Sequence, residues 1–319
     1  MRTTSNLRGA LFALLGFALF STHDAIVKHL GGEYTAFQII FFRTLMSFPL
    51  VTVMLMHERT GATLRPKHPW WITLRVASDM VAGAGAFYAF SVLPLAQVYA
   101  MLFATPLLIT VLAIPLLGET VRLRRGIAVI VGLVGVLIVL RPGAVPMGLG
   151  HAAAIASALG GATSSIIARK IGHEERSVVI LLYPMMANVI VMGALMPFVY
   201  VPMPVIDLGG MTLVAVFAIV AGLCTIMAYR HAEAMIVAPM QYSQILWAAF
   251  YGWLFFHEKI DGYTFLGIVV IIGSGLYILF RESRGTVSEN RPVSTTRQRP
   301  DAGPGSRLGA IFSRNKAVE

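Results

Sequence analysis

Charge is what this chain lacks most. Asp, Glu, Lys and Arg make up only 13% of its 319 residues, about half the share a soluble chain uses to coat its surface. Apolar residues make up 57%. That balance excludes a soluble enzyme, a disordered protein and a nucleic-acid binder built on a basic core. Cysteine is nearly absent: Cys224 stands alone inside an apolar run. A disulfide framework is therefore impossible, and so is a cysteine-rich zinc or iron–sulfur site. Catalytic motifs are missing too. There is no HExxH, no GxSxG and no P-loop, so neither hydrolysis nor ATP-driven transport has a signature. No cofactor is expected. Acidic residues are outnumbered, giving a net charge of +10, yet eight of the 25 Lys and Arg lie at or beyond Arg281 in a polar tail. The excess belongs to that tail and to short loops, and no nucleic-acid partner is implied.

What the chain has is long apolar runs. A transmembrane helix needs about 20 mostly apolar residues. Ten runs qualify: Leu7–Lys28, Tyr34–Met56, Trp70–Leu93, Leu95–Leu117, Leu123–Leu140, Pro146–Arg169, Ser177–Val201, Leu208–Tyr229, Ile236–Phe256 and Gly262–Phe280. The weakest break, between the third and fourth, is marked only by Pro94. The first run is longer than a signal-peptide core and no small-residue cleavage pattern follows it, so it is read as the first helix. The sequence therefore predicts an all-α polytopic membrane protein, with the lipid bilayer as its surroundings.

Loop charge sets orientation. With the N-terminus inside, the inner segments hold Arg2 and Arg8; Arg59, Arg65 and Lys67; Arg122, Arg124 and Arg125; Arg169, Lys170 and Arg176; Arg230; and the tail cations. The outer loops hold only Lys28, Arg141 and Lys259. Both termini are then cytoplasmic. Residues 282–319 are rich in Pro, Ser and Gly and carry too little apolar surface to fold. They are expected to form a disordered basic cytoplasmic tail.

The chain repeats itself. Leu116–Arg141 matches Phe255–Arg281: Glu119 falls on Glu258, GIAVIVG at Gly126 on GIVVIIG at Gly267, and Arg141 on Arg281. Each match closes a set of five runs, dividing the chain into 7–141 and 146–281. Five is odd, so the second half enters the membrane from the opposite side. Inverted halves are the pattern of many secondary transporters, with the solute near the midplane between them.

The ten runs, the doubled half and the apolar–Gly/His–Glu motif before a Gly-rich helix resemble the EamA-type drug/metabolite transporter superfamily. The resemblance covers about residues 7–281. His257 stands where glycine is more usual before the second glutamate. Ser21, Asp24, Ala25, Lys28 and Leu30, with Phe41–Arg43, are similar to a bacterial subgroup that includes S-adenosylmethionine uptake carriers and RibN-type riboflavin transporters. The resemblance implies ten transmembrane helices as two inverted five-helix EamA-like repeats in a bacterial cell inner membrane. It also implies alternating-access transport of a small organic metabolite, with riboflavin uptake nearest. An S-adenosylmethionine, amino-acid or drug transporter is the alternative. A membrane enzyme or receptor would usually show a polar catalytic cluster or a soluble domain, and neither stands in the sequence. A monomer and a homodimer both fit.

Ionisable residues within membrane spans are costly and mark function by default. At about 1.5 Å per residue, Arg43 and Asp79 fall near the midplane and Asp24 somewhat nearer the outside. Two readings compete. Arg43 pairs with Asp24 or Asp79 and fixes packing, or the three line a solute path. His23, Asp24 and Asp79 are the groups that could carry a proton. Arg75 stands four residues before Asp79, close enough to pair on a helix. Tyr88, Gln97 and Tyr99 near helix ends, and Gln241, Gln244 and Trp247 along one run, form a second candidate set. A stripe of amides and rings could hold a flat heteroaromatic solute; the competing reading is interfacial belts and interhelical hydrogen bonds. Glu119 and Glu258 are each expected to cap the helix that follows. Pro106, Pro184 and Pro239 are candidate breaks or kinks.

Overall fold

The computed structural model describes residues 2–56, 64–118, 123–143, 146–172, 174–232 and 234–284. Glu119 and the tail beyond residue 284 lie outside the described residues. Among the described residues twelve helices follow in order: α1 (Arg2–Leu30), α2 (Ala36–Met56), α3 (Pro69–Val92), α4 (Leu95–Leu102), α5 (Thr105–Leu117), α6 (Leu123–Leu140), α7 (Leu149–Ile171), α8 (Ser177–Val199), α9 (Val205–His231), α10 (Ala234–Met240), α11 (Ser243–Phe256) and α12 (Gly262–Arg284). Five segments among the described residues are long and apolar enough to cross a membrane, Leu95–Leu117 and Val205–His231 being the most apolar. Large apolar side chains also point outward, such as Ile130, Ile190, Phe198 and Leu246. Helices that are apolar on both their inner and outer faces belong in lipid. The chain is a multi-pass membrane protein.

The fourth and ninth runs of the sequence are each broken in two. Phe103 and Ala104 separate α4 from α5, and Gln241 and Tyr242 separate α10 from α11. The reason is local. Pro106 has no N–H to offer the Leu102 carbonyl, and Ala104 N–H turns back to Met101 instead, which tightens the last turn. After Pro239, four amides (Gln241, Tyr242, Gln244 and Ile245) bond three residues back rather than four. Pro184 lies inside α8 without interrupting it.

Packing follows a crossed pattern. α1 runs along α9, and α3 along α7; α6 packs on α12, and α2 on α8. Glycines set two close seams. A Cβ at Gly160 of α7 would meet the Ser78 carbonyl of α3 at 2.6 Å, and one at Gly267 of α12 would meet the Gly135 carbonyl of α6 at 2.7 Å. The largest apolar core gathers α1–α4, α6–α9, α11 and α12 around Val27, Ile39, Leu95, Met101 and Ile271.

One buried ion pair clamps an end of this bundle. The Lys28 ammonium lies 2.9 Å from Glu258 Oε1, with side chains only 11% and 16% exposed. It also donates to the carbonyls of Leu93 (2.6 Å) and Phe90 (3.3 Å). Glu258 Oε2 accepts the Leu95 N–H at 2.9 Å. Glu258 therefore caps α4, the start of a helix in the other half, and not the α12 that follows it. A carboxylate at a helix N-terminus is favoured wherever it comes from. At α12 that place is taken by Asp261, which accepts from Thr264 Oγ1 (2.5 Å) and pairs with Arg141.

Candidate functional site

The breaks matter because they meet. Phe103, at the first break, and Tyr242, at the second, face each other with ring centroids 5.2 Å apart and planes at 66°. Phe103 in turn packs on Tyr99 (5.9 Å), and Tyr99 on Phe90 (5.5 Å). A row of four rings thus runs from α3 through α4 to the start of α11.

Beside this row stands a polar cluster. The Tyr99 hydroxyl donates to Asp24 Oδ2. His23 Nδ1 lies 2.7 Å from Asp24 Oδ1, a separation that places the proton between ring and carboxylate. Ser21 Oγ lies 3.4 Å from the same Tyr99 hydroxyl and 3.4 Å from the Gln244 carbonyl. The Gln244 amide donates to Tyr99 at 3.4 Å. Three elements build the cluster: α1 supplies Ser21, His23 and Asp24, α4 supplies Tyr99, and α11 supplies Gln244. Their meeting follows from the crossed packing, since α1 lies against α9 and α11 and so reaches the second break. His23, Tyr99 and Gln244 are buried, and the Asp24 side chain keeps 14% of its surface open. A carboxylate held by two donors and left slightly open can meet a polar solute group.

Arg43 joins from α2. Its guanidinium lies over the Phe87 ring at 5.4 Å, and Phe87 also meets the His23 ring, edge to face, at 5.9 Å. Arg43 thereby reaches the level of the Asp24 cluster through an aromatic bridge.

The remaining expected residues go elsewhere. Asp79 pairs with Arg75 at 3.2 Å, and Arg75 also donates to the Ile180 carbonyl of α8 at 2.5 Å. Phe87 stands eight residues further along α3, about 12 Å. Gln97 Nε2 contacts His151 Nε2 at 3.2 Å, bridging α4 to the start of α7. Tyr88 leaves its ring exposed. Gln241 sits in the second break, so it shares no continuous helical face with Gln244 and Trp247. Trp247 stacks on Tyr251 (6.2 Å, 26°), and Tyr251 bonds Thr22 of α1 at 2.9 Å. Ser21, Thr22 and Tyr251 were not singled out by sequence as site residues. The spacing of Tyr251, four residues after Trp247, was the one signal available for it.

The family model for the EamA-like transporter family matches twice, over residues 7–141 and 148–280. The S-adenosylmethionine uptake transporter of Rickettsia bellii is 24% identical over 271 residues, covering 85% of this chain and 93% of that protein. The pseudopaline exporter CntI of Pseudomonas aeruginosa is 27% identical over 269 residues, covering 83% and 93%. The riboflavin transporter of Rhizobium johnstonii is 28% identical over 290 residues, covering 86% and 92%. A crystal structure aligns at a TM-score of 0.58 and 17% identity, over 87% of this chain and 99% of that one, and shares the fold.

Proposed function

The chain belongs to the EamA-like transporter family, and we propose that it carries a flat heteroaromatic metabolite of the riboflavin class into the cell by alternating access. The observation that carries this reading is the meeting of two broken helices at Phe103 and Tyr242 beside Asp24. Broken helices at corresponding places in two repeats are where secondary transporters hold their solutes. Here they bring a row of rings for stacking together with Tyr99, Gln244 and Asp24 for reading polar edges.

In this reading α4 with α5 makes one span and α10 with α11 another, so twelve helices make ten spans. The halves, 7–141 and 146–281, have opposite orientations in the inner membrane. The crossed packing of first on third helices supports that relation. Both termini face the cytoplasm, as the loop cations favour. The halves rock about the crossing, and Asp24 with His23 takes up a proton as they do. The similarity to a riboflavin transporter adds support.

A second reading rests on Asp24 itself. A partly open carboxylate beside aromatic rings also suits a cationic, adenine-bearing solute such as S-adenosylmethionine, the cargo named for a relative. Uptake of radiolabelled riboflavin by a riboflavin auxotroph expressing the chain, at two external pH values, tests the first reading. Saturable uptake above the vector control upholds it, and faster uptake at lower external pH upholds the proton. No riboflavin uptake with saturable S-adenosylmethionine uptake replaces the first reading with the second.

A further inference from the structure

Tyr242 stands at the N-terminal end of α11, in the second break, with its ring against Phe103. Its far end points the other way, into α12. A Cβ built on Gly275 would lie 1.8 Å from the Tyr242 hydroxyl oxygen, 2.8 Å from Cζ and 3.6 Å from Cε1. The hydroxyl thus occupies the space that the missing side chain leaves. Non-bonded heavy atoms rest at about 3.5–4.0 Å, so this seat exists only with glycine at 275. α12 packs closely on α6 about 80° around from Gly275, where a Cβ at Gly267 would lie 2.7 Å from the Gly135 carbonyl. A side chain at 275 would press on the Tyr242 ring, which packs on Phe103 beside Tyr99.

We propose that Gly275 is a positioning residue and Tyr242 a specificity-determining one: the glycine notch on α12 seats the tyrosine at the crossing of the broken helices, and the ring so held sets the width of the solute space. The inference rests on the reading of that crossing as the solute site. It assigns a role to a glycine on α12, far from Phe103 and Tyr99 in the chain. It also accounts for a tyrosine rather than a phenylalanine at 242, because only the hydroxyl reaches the bottom of the notch.

The contacts predict a graded rescue. Gly275→Ala overpacks the seat. Adding Tyr242→Phe removes the 1.8 Å overlap and leaves the tight 2.8 Å contact at Cζ, so relief is partial. Adding Tyr242→Leu removes Cζ as well, so relief of the overlap is complete while the wall is lost.

The test measures thermal melting in detergent and uptake kinetics for the wild type, Gly275→Ala, both Tyr242 variants and both doubles. Uptake is followed with labelled riboflavin, and with labelled S-adenosylmethionine if riboflavin is not carried. Melting should fall for Gly275→Ala and be recovered partly with Phe and more fully with Leu, each judged against its own Tyr242 single variant. KM for Gly275→Ala should rise about tenfold, with turnover per folded carrier little changed, and should fall back in the Phe double. Both Leu variants should accept bulkier ring analogues. Additive melting effects overturn the seat, and an unchanged KM or a loss confined to turnover overturns the specificity role. A wild type that carries neither solute overturns the preceding functional reading and the specificity role with it, while the melting cycle still decides the seat.

Discussion

The Lys28–Glu258 clamp makes a sharp prediction, because one carboxylate performs two tasks. Glu258 Oε1 neutralises Lys28 and Oε2 caps α4 through Leu95. Glu258→Gln keeps an acceptor for the cap and deletes the charge. Removing one partner of a buried pair costs about 3–5 kcal/mol when the other charge is stranded. Lys28 is not stranded, since it keeps the carbonyls of Leu93 and Phe90 and about a tenth of its side-chain surface stays open. The expected loss for Gln is therefore about 1–3 kcal/mol, the scale of one hydrogen bond to a charged group. Glu258→Ala loses the cap too, about 1 kcal/mol more. Lys28→Met deletes the cation and leaves the cap. Unfolding equilibria in mixed micelles measure all three variants and the Lys28→Met/Glu258→Gln double. The double should cost less than the sum of the singles by about 1–2 kcal/mol, the coupling of a contacting pair. If Gln matches the wild type within about 0.5 kcal/mol, or if Gln and Ala are equal, the division of labour between the two oxygens is wrong.

Other outcomes follow from the same contacts. Asp24→Asn should abolish most uptake and its pH dependence while leaving expression and melting close to wild type, and Tyr99→Phe should lower uptake less, because His23 still holds Asp24; a misfolded Asp24→Asn, seen by size-exclusion chromatography, would make the carboxylate a packing group. Partial burial pulls the Asp261 carboxyl upward, but the Thr264 hydrogen bond and the Arg141 charge outweigh it and hold the carboxyl below its usual range. The unfolded carboxyl then protonates first as pH falls, so this contribution is present above the ordinary carboxylate range and is lost as pH drops through the folded value. Asp261→Asn should flatten that acid limb of the melting curve, and an unchanged limb would refute the assignment. Gly160→Leu should prevent α3 and α7 from closing, with loss of folded protein on detergent extraction, because the nearest atoms are the Ser78 carbonyl and the Ala82 amide rather than yielding side chains.

Several features were legible without a fold. Hydropathy runs of 18 or more residues find helices because lipid offers backbone groups no partner outside their own segment. The repeat was legible because each half keeps a glutamate followed by a glycine-spaced helix. The pairing of Arg75 with Asp79 needed only the helical period. The proline breaks at Pro106 and Pro239 were readable as candidates, since a missing N–H is a local property.

Tertiary structure decided the rest, because it concerns which residues meet across a bundle. Nothing in the spacing of Glu258 indicates that it caps α4, more than 160 positions earlier in the chain. Nothing local to Gln97 indicates that α7 places His151 beside it. Gln241 and Gln244 share a face only if their helix is continuous, and the break removes that condition. Arg43 was read either as a partner of Asp24 or Asp79 or as a lining of the solute path, and its place over the face of Phe87 is a contact that no charge-based pattern indicates. Asp24 was visible as a carboxylate within a span, but its donor Tyr99 comes from α4, and Tyr99 in turn meets Ser21 of α1 and Gln244 of α11. Sequence by itself determined that the chain lives in a membrane, is helical and is built twice, since those properties arise from composition and local periodicity. The fold alone determined which polar groups satisfy one another and which face the crossing, since in lipid each must find a partner and helix packing sets the choice.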